Sequence, residues 1–153
     1  MRASILYRAA AVLLFLFAVG HTLGFRESDP AWGVEPVLSL MQSTHFTIQG
    51  FTRTYWDFFV GAGFTVGVLY LFAAVLAWQL GSLPLETLAL MRVTAWGFAG
   101  CFAAVTVLSV EYLFWIPIVM SSLVTVCLSA AAWRSGNRAG ASALEWKGSS
   151  HQG

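Results

Sequence analysis

The chain has 153 residues, of which 58% are hydrophobic and 10% charged, with a net charge of +1 at pH 7. Soluble domains carry about a quarter charged residues, and one this small could not hide so much apolar side chain, so lipid must cover part of it. A charge so near zero excludes the clustered basic surface that nucleic-acid binding needs.

The first apolar run, Ala9 to Gly24, is broken only by His21 and Thr22. With Ile5 to Tyr7 in front it predicts a first span over about 5–25, since about 20 residues at 1.5 Å each cross a bilayer core of ~30 Å. The rival reading is a cleaved signal peptide, with Arg2 and Arg8 as its charged start and Ala18-Val19-Gly20 as its small-residue cleavage site. The apolar run continues past that cut, and Gly20 and Gly24 are spaced as a helix-packing pair.

Residues 26–52 form the long polar segment. It opens with the turn-forming cluster Arg26 to Pro30. A short helix is predicted over 36–42, with Pro36 in its first turn and Val37, Leu38, Leu40 and Met41 as an apolar side. Such a helix belongs on the membrane surface. His45-Phe46 and Gly50 follow.

The second span is expected over about 55–80, bracketed by Trp56 and Trp78 as interfacial anchors. Gly63 and Gly67 form a GxxxG pair, a mark of close helix contact. After a short turn around Pro84 comes a third span, about 88–110, with Gly97, Gly100 and Ala104 as a small-residue face. Glu111 and Tyr112 end it. The fourth span, about 116–133, begins at Ile116 or Pro117, because Pro suits a first turn and disrupts later ones. Ser121, Thr125 and Ser129 recur every four residues, one stripe that turns inward. Residues 134–153, rich in Gly and Ser, read as a disordered cytoplasmic tail. His151 there is incidental. Cys101 and Cys127 fall in apolar spans and read as small buried hydrophobes. The fold class is therefore all-α: a polytopic membrane protein with four transmembrane helices in an up-down bundle and a short interfacial helix in the first loop.

Basic residues set the orientation. Arg2, Arg8, Arg92, Arg134, Arg138 and Lys147 share one side and Arg26 and Arg53 the other, which puts both termini inside. On this topology His21 lies about 6 Å below the outer edge of span one at 1.5 Å per residue. Asp57, four residues after Arg53, reaches a similar depth from the same side. His45 passes overhead, and Glu111 and Tyr112 close span three at that end. His21, Arg53, Asp57, His45, Glu111 and Tyr112 are thus the candidate polar cluster, at the outer end of the bundle.

Each member has two readings. Arg53 and Asp57, four apart, share a helix face and can pair, which lowers the cost of an intramembrane carboxylate. His21 can hydrogen-bond Asp57 or a carbonyl, or serve as a proton acceptor or ligand-binding group. Glu111 and His45 can be plain loop residues. No HExxH, HxxxH or CxxC spacing supports a metal site, and no cofactor is expected.

The segments Gly20-His21-Thr22-Leu23-Gly24-Phe25, His45-Phe46 and Arg53-Thr54-Tyr55-Trp56-Asp57-Phe58 with Gly61 and Gly63 resemble those of a family of small four-helix bacterial inner-membrane proteins. The proline opening span four is also similar. The resemblance implies four spans and a bacterial inner membrane, and supplies no reaction and no catalytic residue. A looser likeness to DoxX-like and sterol-isomerase-type bundles is architectural only.

Three functions fit these residues. The bundle can bind a lipid-soluble small molecule or another membrane protein, with membrane lipids around it and its polar end at the cluster. It can be an enzyme with His21 and Asp57 as an acid–base pair acting on a quinone-, isoprenoid- or sterol-like substrate. It can be a structural or assembly subunit. Four spans with no helix broken at the midplane leave little room for transport.

Overall fold

The computed structural model of the chain describes residues 3–149, with side chains for all of these except Leu85 and 137–149. The expectations for Arg2 and His151 lie outside the described residues.

The elements are α1 (Ala3–Gly24), a 3-10 turn (Pro30–Trp32), α2 (Glu35–Ser43), β1 (His45–Ile48), β2 (Phe51–Thr54), α3 (Tyr55–Ser82), α4 (Leu85–Leu90), α5 (Arg92–Tyr112) and α6 (Trp115–Ser149). Among the described residues, four helices are long and apolar enough to cross a membrane: α1, α3, α5 and the Trp115–Gly136 part of α6. The architecture is all-α and multi-pass. The short helix expected over 36–42 is α2, with Glu35 and Pro36 in its first turn.

Three features differ from the sequence reading. Residues 45–54 form a β-hairpin where only loop was expected. The third span begins at Arg92 rather than 88, because α4 ends first; the Met91 N–H turns back to the Thr87 and Leu88 carbonyls, at 3.3 and 3.2 Å. No proline or glycine stands at that break. The backbone of 134–149 continues α6 as helix, where a disordered tail was expected; its Ala, Arg, Leu, Glu and Lys residues favour helix and outweigh the glycines.

The chain divides into two compact units, one of residues 16–71 and one of residues 1–15 with 72–153. In the second, α1 and α3 run antiparallel: the Ser4 carbonyl and Tyr7 lie against Gly81, and Arg8 sits 5.5 Å over the Trp78 ring. Likewise α5 and α6 pair antiparallel after a two-residue turn, with the Thr106 and Thr125 hydroxyls 3.0 Å apart. The core of this unit is built largely of alanine (Ala10, Ala77, Ala95, Ala99, Ala131) around Tyr7, Leu14, Leu80, Val124 and Leu128. Small residues let helix backbones approach closely in lipid, where packing rather than hydrophobicity drives association. Of the serine–threonine stripe on α6, Ser121 is buried and Thr125 holds Thr106.

In the unit of residues 16–71, α1 and α3 again lie antiparallel. Phe17 packs on Tyr70 with ring centroids 4.6 Å apart. A Cβ at Gly67 would meet the Thr22 hydroxyl, and one at Gly63 would collide with the Phe25 ring. Gly20 and Gly24, by contrast, border open space.

A candidate ligand groove beneath the hairpin

The unit of residues 16–71 holds a concave surface of ligand size, and its geometry starts from a two-residue turn. Gln49 and Gly50 both have positive φ, 53° and 85°. Two successive left-handed residues make the tight hairpin turn whose twist matches the flanking strands. The strands pair antiparallel, Phe46 opposite Arg53 and Ile48 opposite Phe51. Side chains alternate along a strand, so Phe46, Ile48, Phe51 and Arg53 share one face, and His45, Thr47, Thr52 and Thr54 the other.

The first face looks onto the start of α3. The Phe46 ring lies 5.0 Å from that of Tyr55 and 5.5 Å from that of Phe58. Strand β2 passes into α3 without a linker, and a reciprocal cap fixes the junction. The Thr54 N–H donates to Asp57 Oδ2 at 2.8 Å, and the Asp57 N–H donates to Thr54 Oγ1 at 3.1 Å. This is a capping box: each side chain satisfies a backbone donor that the first helical turn leaves open. Thr54 is buried at 7% exposure, so the joint between hairpin and helix is firm.

Between hairpin and helix lies an open groove of about 580 Å³, lined by Ile48, Gln49, Phe51 and Arg53 from the hairpin and by Asp57, Phe58, Gly61 and Ala62 from α3. The four α3 positions fall on one helical face. The space that a Cβ of Gly61 would take is empty. Ile48, Phe51 and Phe58 are each more than half exposed to it or to its surroundings, at 53%, 62% and 55%. The groove is thus an apolar trough with one cation and one anion at its hairpin end.

Arg53 and Asp57 line this groove together but make no ion pair. The Arg53 guanidinium donates to the Thr52 carbonyl at 2.8 Å and lies 5.5 Å over the Phe51 ring. Asp57 has Arg53 and His45 as electrostatic neighbours. His45 itself is tied locally, its Nδ1 2.8 Å from the Ser43 carbonyl. Helix spacing alone pairs residues 53 and 57 only if both are helical. Here α3 starts at Tyr55, so Arg53 is a strand residue and reaches the groove from the other wall.

His21 stands elsewhere. Its Nε2 lies 3.1 Å from the Gly63 carbonyl, so that nitrogen carries the hydrogen and donates. Its ring stacks between Phe17 and Phe25, with centroids at 5.9 and 5.2 Å. Gly63 lies on roughly the opposite face of α3 from residues 57, 58, 61 and 62, at 3.6 residues per turn. His21 therefore belongs to the α1–α3 contact, and the groove is formed without it.

Glu111 and Tyr112 close α5 in the other unit, and both are exposed, Tyr112 at 78%. Among the described residues no three His, Cys, Asp or Glu side chains converge as a metal site would require.

Ile48 and Phe51 were not among the residues picked out from sequence, and Phe58 was named only within the Tyr55-Trp56-Asp57-Phe58 segment. The signal was present: Gln49-Gly50 sits between β-branched and aromatic residues, the pattern of a two-residue hairpin. No protein-family model matches the chain, and no curated protein or solved structure matches it either.

Proposed function

We propose that this multi-pass membrane protein binds a lipid-soluble small molecule in the groove between the hairpin and α3. One observation carries the reading: an apolar trough of about 580 Å³ with Arg53 and Asp57 at one end and Phe58, Gly61 and Ala62 along its floor. Ligand sites for small molecules are of this size and composition, mostly apolar with a few polar groups that fix orientation. Helix α3 has 28 residues, about 42 Å at 1.5 Å per residue, against a hydrocarbon core of ~30 Å. Its first turn therefore projects to headgroup level. A ligand would place its polar end against Arg53 and Asp57 and its apolar body down α3 toward the lipid. Resemblance and basic-residue counts support a bacterial inner membrane with both termini in the cytoplasm and the groove outside.

Native mass spectrometry of the detergent-purified protein tests the reading. The wild type carries a discrete small-molecule adduct, and Gly61→Leu, which fills the empty space over the groove floor, loses it. A wild type that carries nothing, or an adduct held equally by Gly61→Leu, refutes the proposal.

A further inference from the structure

The unit of residues 1–15 and 72–153 carries a small recess. Its walls are Arg92 and Trp96 of α5 and Ala132, Trp133 and Gly136 of α6, around about 160 Å³. That is below the ~300–1,000 Å³ of sites that enclose whole small molecules. It is room for one charged group, with the rest of its molecule outside.

The walls specify the charge. Arg92 Cζ and Nε lie 3.9 Å from where a Gly136 Cβ would stand, an ordinary van der Waals distance, so the guanidinium lies alongside α6 at Gly136. Arg92 makes no hydrogen bond or ion pair among the described residues, which leaves its fork of five N–H donors for an external acceptor. The nearest acidic residue in sequence, Glu86 on α4, is exposed and makes no ion pair there. Planar guanidinium donors match phosphate oxygens.

The surroundings specify what carries it. Trp96 and Trp133 are 40% and 62% exposed, and Leu90 and Val93, on either side of Arg92, are 87% and 86% exposed. Tryptophans of this kind sit at headgroup depth, and the bare aliphatic residues beside them suit acyl chains. Arg8, over Trp78, lies at the same end of this unit, as the contact of Tyr7 with Gly81 and the approach of Tyr7 to Ser135 require. Free phosphate would have no use for that apolar border.

We propose that the Arg92–Trp96–Trp133 recess binds the phosphate of an anionic phospholipid headgroup, whose acyl chains run along the apolar flank of α5 and α6. The recess shares no lining residue with the hairpin groove.

The test is native mass spectrometry of the full chain with added phosphatidylglycerol, phosphatidylcholine or inorganic phosphate. Wild type retains phosphatidylglycerol, and Arg92→Lys, which keeps the charge without the fork, retains it in part. Arg92→Gln retains it about fivefold less, the effect of one basic residue at an anionic surface. Gly136→Leu, which closes the recess while keeping Arg92, gives the same loss. Circular dichroism confirms that each variant folds, and Gly136→Leu decides the matter if Arg92→Gln does not fold. Phosphatidylcholine, whose quaternary ammonium offsets the charge of its phosphate, depends on Arg92 less than phosphatidylglycerol does, and inorganic phosphate shows no dependence. Equal phosphatidylglycerol retention by wild type and a folded Arg92→Gln or Gly136→Leu overturns the proposal. An Arg92-dependent adduct of inorganic phosphate, without one of phosphatidylglycerol, overturns the lipid as its source.

Discussion

At the scale of single residues, Asp57 does two things. One carboxylate oxygen closes the capping box with Thr54, and the side chain also lines the groove. The two roles separate experimentally through Thr54, which is buried under the junction and does not line the groove. Thr54→Ala removes the hydroxyl that accepts the Asp57 N–H, and N-cap losses of this kind cost about 1 kcal/mol. Thermal unfolding in detergent is expected to show that loss of stability while the groove adduct remains; an unchanged midpoint would mean the cap contributes nothing. Arg53 and Asp57 were legible as a pair from their spacing, but for the wrong geometry, since the helix that the spacing assumes starts two residues after Arg53. The Thr54-Tyr55-Trp56-Asp57 order is itself a helix-start signature. It places residue 53 outside the helix without any structure. His21 was legible as a residue that needs a partner. That its partner is the Gly63 carbonyl was not, because glycine spacing shows that a helix can approach and not which side chain fills the gap.

At the scale of elements, the hairpin is the part that sequence patterning conceals most and the groove needs most. Its strands are four residues each, too short for alternation to stand out. Its apolar face packs on one helix and is otherwise open, so it reads as loop. The turn is the exception, because only a few residues tolerate two positive φ values in succession. Gly50 at φ 85° can take no β-branched side chain without strain, about 1–2 kcal/mol. Gly50→Val is expected to loosen the hairpin, seen as faster amide hydrogen exchange over 45–54 with α3 exchange unaffected below its first turns, and to release the groove ligand. Unaltered exchange would show that the turn does not hold the hairpin. The four spans were legible for the opposite reason: apolar runs of about 20 residues with few charges have no other stable home than a bilayer. Their ends were less so, as α4 shows, since no proline or glycine stands where the chain breaks before Arg92.

At the scale of the molecule, four spans would return the chain to the side on which it began, and the basic-residue count predicts that this side is the cytoplasm. In cells, with Cys101→Ser and Cys127→Ser as background, Gln42→Cys in α2 should react with a membrane-impermeant maleimide from outside. Ser82→Cys, at the far end of α3, should not. The reverse pattern would invert the topology and place the groove in the cytoplasm. The groove is proposed to hold one kind of molecule rather than bulk lipid. The most direct measurement is photo-crosslinking in native membranes from a benzophenone-bearing phenylalanine at position 58, compared with one at the lipid-exposed position 107 of α5, followed by mass analysis of the labelled peptide. A single species captured at 58, absent at 107 and lost on Gly61→Leu, is the predicted result; the same spread of bulk phospholipids at both positions would contradict it.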